Sequence, residues 1–497
     1  MQMTGRVKEM PHETLEKLIL YPQFDFEVNN YLKQYASIEK VLVKAYKQMG
    51  FIDDHQAFRL VHAIDQLNLE RLKENTKESL TDIALTIEKE IDKNLGAPID
   101  HWHLDRSRND FQACSQLMYA REKWINLINK VFSLNKTVLS KAAEHTRTMM
   151  PGYTHFQSAQ IISAGFYLTA VSIHLGETGK KMLQSLERMN RSCPLGSGAM
   201  SGQEYEWDLK TMAHDLGFDS YVGHALTGVA SRDWVLDMGS ALSFFASNMS
   251  RFLTDLMNWG SSEYRFINFS DELTGISSSM PQKRNFPLLE RIRGKTSHLI
   301  SIYQDFLIGQ RNTPYSNMVE VSKESTSSLP SLFKHAEDVL DLLNLMFGHL
   351  EFNVKIMEQR CLNDFYGGFT LANRLTKTCG IPYRKAQVIS GRFITESIAE
   401  GYSPQNVSVQ LLEKLCSDAG YSNTLSQHDL TAIFDVKLAL NAKVSLGSTH
   451  PDKVSALIRK QEQEIDFMFK EFVEISDKVR DALLSLKEWL PGKRTNP

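Results

Sequence analysis

The sequence predicts a mostly α protein built around a central bundle of long helices, and three observations carry that prediction. Trp124, Leu127, Val131, Leu134, Val138 and Ala142 step by three and four residues, which lines one face of a helix. Met238, Leu242, Phe245, Met249, Phe252, Leu256 and Trp259 alternate four and three without a slip, a heptad stripe suited to helix-on-helix packing. No segment alternates apolar and polar residues over a strand's length between hairpin turns. Such stripes on several helices exceed what one chain's bundle needs. Helices shared between subunits are therefore expected, with a single-chain bundle as the alternative.

Taken in order, residues 1–110 read as an N-terminal helical domain of short helices and loops. Tyr31 to Met49 and Ala57 to Leu72 carry apolar residues at helical spacing, and Gly50 stops the first. Residues 111–362 form the central long-helix domain. Its first helix is expected to end at Pro151-Gly152. Its second starts behind the capping candidates Ser231 and Asp233, and Val339 to Ile356, apolar nearly all round, should be buried in the bundle. Residues 363–497 form a C-terminal helical domain broken at Gly380-Ile381-Pro382 and at Gly401 to Pro404. It ends in a terminal helix striped by Ile458, Ile465, Met468, Phe472, Ile475, Val479 and Ala482, with Pro451 where a first-turn proline is tolerated.

Composition narrows the function. The chain has 497 residues, 42% hydrophobic and 23% charged, with 56 Lys and Arg against 59 Asp and Glu. That balance, without long like-charge blocks, argues against nucleic acid or an anionic membrane as partner and leaves small molecules. Five scattered cysteines without a CxxC suit a reducing cytosol and carry no zinc signature. MQMTGRVKEM lacks the apolar run of a secretion signal, and the most apolar window, Ala164 to Leu175, is too short to span a bilayer, so a cytoplasmic location is expected.

Four polar constellations punctuate the helices. Asp105-Arg106-Ser107-Arg108-Asn109-Asp110 places two arginines around a serine, a fork for a carboxylate at a helix start or simply a charged helix end. His101 and His103 beside it lack a third metal ligand and read as surface histidines. Pro151-Gly152-Tyr153-Thr154-His155-Phe156-Gln157 sets a proton-transferring side chain beside a hydroxyl at a helix break. Pro194-Leu195-Gly196-Ser197-Gly198-Ala199 resembles a phosphate loop only superficially, lacking a preceding strand and the Gly-Lys-Ser/Thr ending. The fourth, Ser277-Ser278-Ser279-Met280-Pro281-Gln282-Lys283-Arg284-Asn285, should be an exposed, mobile loop, because a serine run and a proline leave backbone groups without helical partners.

LDRSRND, MPGYTHFQ, PLGSGA, the SRD of 231–233 and SSSMPQKRN occur in this order between long helices. With TGR at 4–6 and GSTHPDKV at 447–454, the chain resembles argininosuccinate lyase of the fumarase/aspartase superfamily over nearly its whole length. The resemblance implies a three-domain subunit, a homotetramer with a twenty-helix core, active sites shared between subunits, and no cofactor or metal. It implies reversible anti β-elimination of fumarate from an N-succinyl amine. Ser277 is the implied base, with Lys283 and Asn285 stabilising the dianion and His155 acting with Glu290 toward the leaving nitrogen. Either His155 or Thr154 would donate the proton. Arg108, Asn109 and Thr154 would hold the carboxylates, and Ser107, Gln157, Arg232, Tyr315, Glu320 and Lys323 complete the implied substrate-binding set.

Several positions depart from the family. Ile276 replaces Gly, Phe286 replaces Pro, and Asp105 replaces the Gly before RSRND. Where the family reads YNKDLQEDK, this chain reads Tyr315 to Lys323 with Asn317 and Glu320 in place of Lys/Arg and Gln, and Ala84 stands where the family has His. The proton-transfer set is kept while groups near the amine half differ, so the expected substrate is an N-substituted aspartate carrying another amine. The alternatives are a genuine argininosuccinate lyase, a catalytically silent structural paralogue and a helical scaffold for protein partners.

Overall fold

The computed structural model of the chain describes residues 9–74 and 83–492. The TGR at 4–6 and the end of the C-terminal tail, 493–497, lie outside the described residues. A single turn, α1 (Glu13–Leu15), runs through a π turn at 16–20 into α2 (Tyr21–Gln48), which starts ten residues before the expected Tyr31 with a proline in its first turn. Gly50, with φ +74, ends it, since the left-handed conformation is open to glycine at no steric cost. The stretch expected as one helix from Ala57 to Leu72 is two, α3 (Asp54–Asp65) and α4 (Leu69–Glu74). Asp53 and Gln56 form a capping box that pulls the first of these forward. α5 (Ile83–Leu95) follows.

The bundle begins with α6 (Arg108–Glu144), which stops at His145, before Pro151-Gly152. The expected helix-stopping pair lies instead in β1 (Met149–Thr154), which pairs antiparallel with β2 (Gln157–Ser163), Pro151 opposite Ile161. Each strand of a two-stranded ribbon has a free edge, so proline's missing N–H breaks no ladder bond. α7 (Ala164–Asn190) returns along α6, and Trp124 Nε1 donates to Met182 O at 3.0 Å between them. Short α8 (Leu209–Asp215) and α9 (Ala225–Ala230) lead to α10 (Asp233–Trp259), where Asp233 N donates to Ser231 Oγ at 3.1 Å.

Beyond α10 come β3 (Ile267–Asn268), β4 (Gly275–Ile276), β5 (Arg284–Asn285), α11 (Pro287–Gln310) and α12 (Leu329–Gly348). The segment Val339 to Ile356, expected as one helix, breaks after Gly348. β6 (Glu351–Phe352) pairs with β3, Asn353 N donates to Phe266 O at 2.7 Å, and α13 (Val354–Leu362) starts anew. Shorter helices α14 (Gly368–Cys379), α15 (Tyr383–Ala399), α16 (Val409–Asp418), α17 (Gln427–Phe434) and α18 (Val436–Asn441) precede α19 (Pro451–Glu488), whose first residue is the expected proline.

One apolar core runs from Phe24 through α6, α7, α10, α11 and α12 and takes in Val454 to Leu486 of α19. The terminal helix thus packs with the bundle, while a second core occupies Leu371 to Phe434. At 1.5 Å per residue the 37-residue α6 is about 55 Å long, and that length separates the two ends of the bundle. Among the described residues no helix is long and apolar enough to cross a membrane.

Candidate active site

At one end of the bundle, Ser107 caps α6, its Oγ accepting from Asn109 N at 3.2 Å. Arg108 is exposed, and Asn109 Nδ2 donates to Ala199 O at 2.9 Å. The two arginines part company. Arg106 turns inward, 2.6 Å from Glu39, which is 2% exposed. Arg106 is thereby withdrawn from any ligand, because a buried carboxylate takes the nearest cation. The loop at 194–199 folds around Asp110, whose Oδ2 accepts from Gly196 N and Gly198 N at 2.9 and 3.0 Å. Both glycines have positive φ, which lets their N–H groups converge on one oxygen. Burial pushes Asp110 up to about 7.

Asp105 occupies a left-handed conformation, φ 58, at the position where the resemblance places glycine. Its carboxylate accepts from Glu204 N, Tyr205 N and Trp207 Nε1 at 2.9–3.1 Å. An aspartate tolerates such a φ better than most side chains, and these bonds hold it there. Beside it His103, expected on the surface, is largely covered.

The same end carries Tyr315, whose hydroxyl donates to Thr227 Oγ1 at 3.4 Å, and the π turn 320–324, tied to α6 by Gln116 Nε2 donating to Ser322 O at 2.7 Å. Glu320 is exposed and makes no ion pair among the described residues. Two expected substrate ligands are otherwise engaged. Lys323 pairs with Glu27, a carboxylate 2% exposed, so it pins the turn to α2. Arg232, 1% exposed, donates to Gln116 Oε1 at 2.9 Å and to the carbonyls of Val229 and Ser231. Burial lowers Arg232 to about 10. In this chain each is engaged by neighbouring protein groups, Lys323 with a carboxylate and Arg232 with an amide oxygen and two carbonyls.

The opposite end holds the other constellations. Thr154 pairs with Gln157 across a two-residue turn, and His155 and Phe156 at its tip have φ 54 and 59. Two left-handed central residues make this a type I′ hairpin, a conformation normally given to Asn-Gly. Such strain in non-glycine residues is concentrated at functional sites. All four residues are exposed, so His155 stands on a hairpin tip, not at a helix break. Below it Tyr153 packs on Tyr264 with ring centroids 5.7 Å apart, and Ser158 hydrogen bonds to Asp364.

The serine run forms an exposed tongue closed at its base by β4 and β5, Gly275 opposite Asn285 and Ile276 opposite Arg284. Arg284 anchors that base, donating to Asn268 Oδ1, Phe269 O and Asp271 Oδ1 at 3.1, 3.0 and 2.8 Å. Phe286, at the departure from proline, packs edge-on against Phe269. Ser277 Oγ accepts from Met280 N at 3.1 Å, which bends the tongue back on itself. Lys283 is exposed, and Ile276 is 93% exposed. Glu290, also exposed, sits in the first turn of α11.

The expected residues therefore form two groups. Ser107, Arg108, Asn109, Tyr315 and Glu320 stand at one end of the bundle. Thr154, His155, Gln157, Ser277, Lys283, Asn285 and Glu290 stand at the other. α11 alone, 24 residues from the tongue to the approach of Tyr315, separates them by about 36 Å. Asp110 and Arg284, which position the 194–199 loop and the tongue, are not among the site residues expected from sequence. A carboxylate directly before the apolar run of a helix, and an arginine in the tongue's closing strand, were the available signals.

The family model described as lyase matches residues 11–300. Argininosuccinate lyase of Anoxybacillus flavithermus is 31% identical over 388 residues, 78% of this chain and 82% of that relative. Argininosuccinate lyase 1 of Shouchella clausii is 27% identical over 471 residues, 93% of each chain. Among solved structures, an EDDS lyase in complex with formate superposes with a TM-score of 0.83 at 22% identity, covering 97% of this chain and 96% of that one. A fumarate lyase from Mesorhizobium sp. BNC1 follows at 0.70 and 14% identity, covering 88% and 97%.

Proposed function

The chain belongs to the fumarase/aspartase superfamily of lyases as an argininosuccinate lyase-like member, and from that premise we propose that it is a carbon–nitrogen lyase. The reaction is reversible anti β-elimination of fumarate from an N-substituted aspartate. The observation that carries this reading is the tongue, which carries a half-buried Ser277 and an exposed Lys283 on a base held by Arg284. A hydroxyl becomes a base only where its anion is stabilised, at about 1.4 kcal/mol per unit of pKa. Lys283 is the nearest cation in sequence able to supply that field when the tongue meets substrate.

The chemistry follows the charge. Ser277 removes the proton on the carbon beside one carboxylate, and the electron pair spreads into that carboxylate as a dianion. Lys283 and Asn285 meet the developing charge, stabilising it more than the substrate. The carbon–nitrogen bond then breaks, and His155, with Glu290, or Thr154 supplies a proton toward the nitrogen. Arg108, Asn109 and Ser107 at a helix N-terminus grip the carboxylates, with Gln157 and Tyr315 alongside. The two groups stand at opposite ends of one chain, so a complete site is assembled from different chains. A homotetramer with shared sites fits that requirement.

The amine half differs from arginine on this reading. Glu320 faces solvent without an ion pair among the described residues, suiting a cationic leaving group, and Lys323, the basic residue retained from the family's segment, is held by Glu27. Genuine argininosuccinate cleavage is the second reading, favoured by the 31% identity over 388 residues. The test incubates the enzyme with fumarate and a library of amines, reading the adduct by mass, beside argininosuccinate followed by fumarate absorbance. Addition to an amine other than arginine, with slow argininosuccinate cleavage, supports the first reading. Fast release of arginine establishes the second. No reaction with any succinyl amine would leave only a helical scaffold.

A further inference from the structure

The start of α6 is flanked by a loop whose tip, Ala199-Met200-Ser201, is exposed while both of its legs are tied down. Gly198 and Gly202 form a bridge that closes the tip, and Gly202 N donates to Ser197 O at 3.1 Å. A Cβ on Gly198 would lie 2.4 Å from Gly202 O, so only glycine permits this approach. Each leg is held by a carboxylate close to the helix start. Asp110 takes the first through Gly196 N and Gly198 N. Asp105 takes the second: its Oδ2 accepts from Glu204 N, Tyr205 N and Trp207 Nε1, and its backbone carbonyl accepts from Gln203 Nε2 at 3.1 Å. Tyr205 and Trp207 pack edge-on against Phe51 and Tyr46, with ring centroids 5.0 and 5.2 Å apart, which fixes that leg to the end of α2.

Between the legs, Ala199 O accepts from Asn109 Nδ2 at 2.9 Å. A carbonyl only accepts, so this contact orients the amide, engaging one of its two N–H groups and fixing the direction of the other. The place of Ala199 therefore sets the aim of Asn109, and it depends on both legs. We propose that Asp105 is a positioning residue for the carboxylate grip: by holding the 203–207 leg it fixes Ala199 and, through Ala199, the Asn109 amide. This rests on the reading that Asn109 holds a carboxylate of the substrate. Asp105 stands where the resemblance places glycine, and glycine has no side-chain acceptor with which to hold that leg. The aim of Asn109 is thus tied, in this chain, to a residue that touches no substrate.

Fumarate is the probe, titrated by calorimetry into the full-length protein and into Asp105→Gly, Asn109→Ala and the double variant. Asp105→Gly should stay folded, because glycine suits the φ of 58 at this position. Each single variant is expected to weaken fumarate binding roughly tenfold. The double variant should bind no more weakly than Asn109→Ala alone, since a residue that acts only through another is not additive with it. Asp105→Asn tolerates the same φ, and its amide oxygen can take the place of Oδ2, so it should bind fumarate within about threefold of the parent. Losses that multiply in the double variant, parent-like binding by Asp105→Gly, or an Asp105→Asn as weak as Asp105→Gly would each overturn this proposal alone. A parent that does not bind fumarate, or binding untouched by Asn109→Ala, would overturn the reading on which it rests, and the proposal with it.

Discussion

Among the described residues Ser277 is bonded to a single backbone amide, Met280 N, on an exposed tongue, so its loss should remove chemistry and little else. Ser277→Ala is expected to lower turnover roughly 10²–10⁴-fold, the range associated with a positioned general base. Its stability should stay within about 0.5 kcal/mol of the parent. Urea unfolding beside a fumarate absorbance assay checks both, and a folded variant with full turnover would remove Ser277 from the reaction. His103 gives a different test. Burial first, and the Arg106 cation second, hold its imidazole far below the ordinary range, while Glu88, 3.7 Å away, is itself pushed upward by burial. The unfolded chain takes up a proton below about pH 6.5 and the folded one does not, so this stability is present above that pH and lost as pH falls through it. His103→Asn, which suits the left-handed φ of 73, should flatten the loss of stability between about pH 7 and pH 5. Unfolding midpoints across that range would show it; an unchanged slope would contradict it. At this scale the motif residues were legible as chemical types, but their partners were not. Arg106 and Lys323 read as free cations until Glu39 and Glu27 came beside them from another helix, and spacing along the chain carries no such information.

Among the elements, the β1–β2 hairpin is the longest of the strand pairs that sequence periodicity missed among the described residues. Pro151-Gly152 imitates a helix stop, and the burial of Met149–Thr154 falls from one end to the other without alternating. The long helices were legible because a stripe of seven residues is a repeated signal, whereas six residues of strand holding a proline are not. The hairpin's tip makes its own prediction. Phe156 is 72% exposed and sits at φ 59, a conformation costing a non-glycine residue about 1–2 kcal/mol. Phe156→Gly relieves that strain and loses part of the gain to the freer unfolded chain, so a net stabilisation of up to about 1 kcal/mol is expected in urea unfolding. A destabilised variant would mean that the ring makes packing contacts absent from a single chain. In the tongue, Arg284→Ala removes three hydrogen bonds at the base. It should reduce kcat and open the 277–283 segment to limited proteolysis, with the bundle's melting temperature nearly unchanged.

For the whole molecule, the mostly helical architecture was legible from two stripes, because bundle helices announce their buried faces. Sites shared between subunits are expected from the stripes and the resemblance, but the distance between the motifs is not legible in the sequence: α6 sets the Arg108 end about 55 Å from the hairpin end. The measurement that bears most directly on this is complementation between two inactive variants. Ser277→Ala and Arg108→Ala, mixed, dissociated and reassociated in equal amounts, should together recover roughly a quarter of the parent's activity, since random assembly of a symmetric oligomer leaves that share of sites with both groups intact. Activity no greater than that of either variant alone would mean that Ser277 and Arg108 do not meet across subunits, and that the site is not built from separate chains.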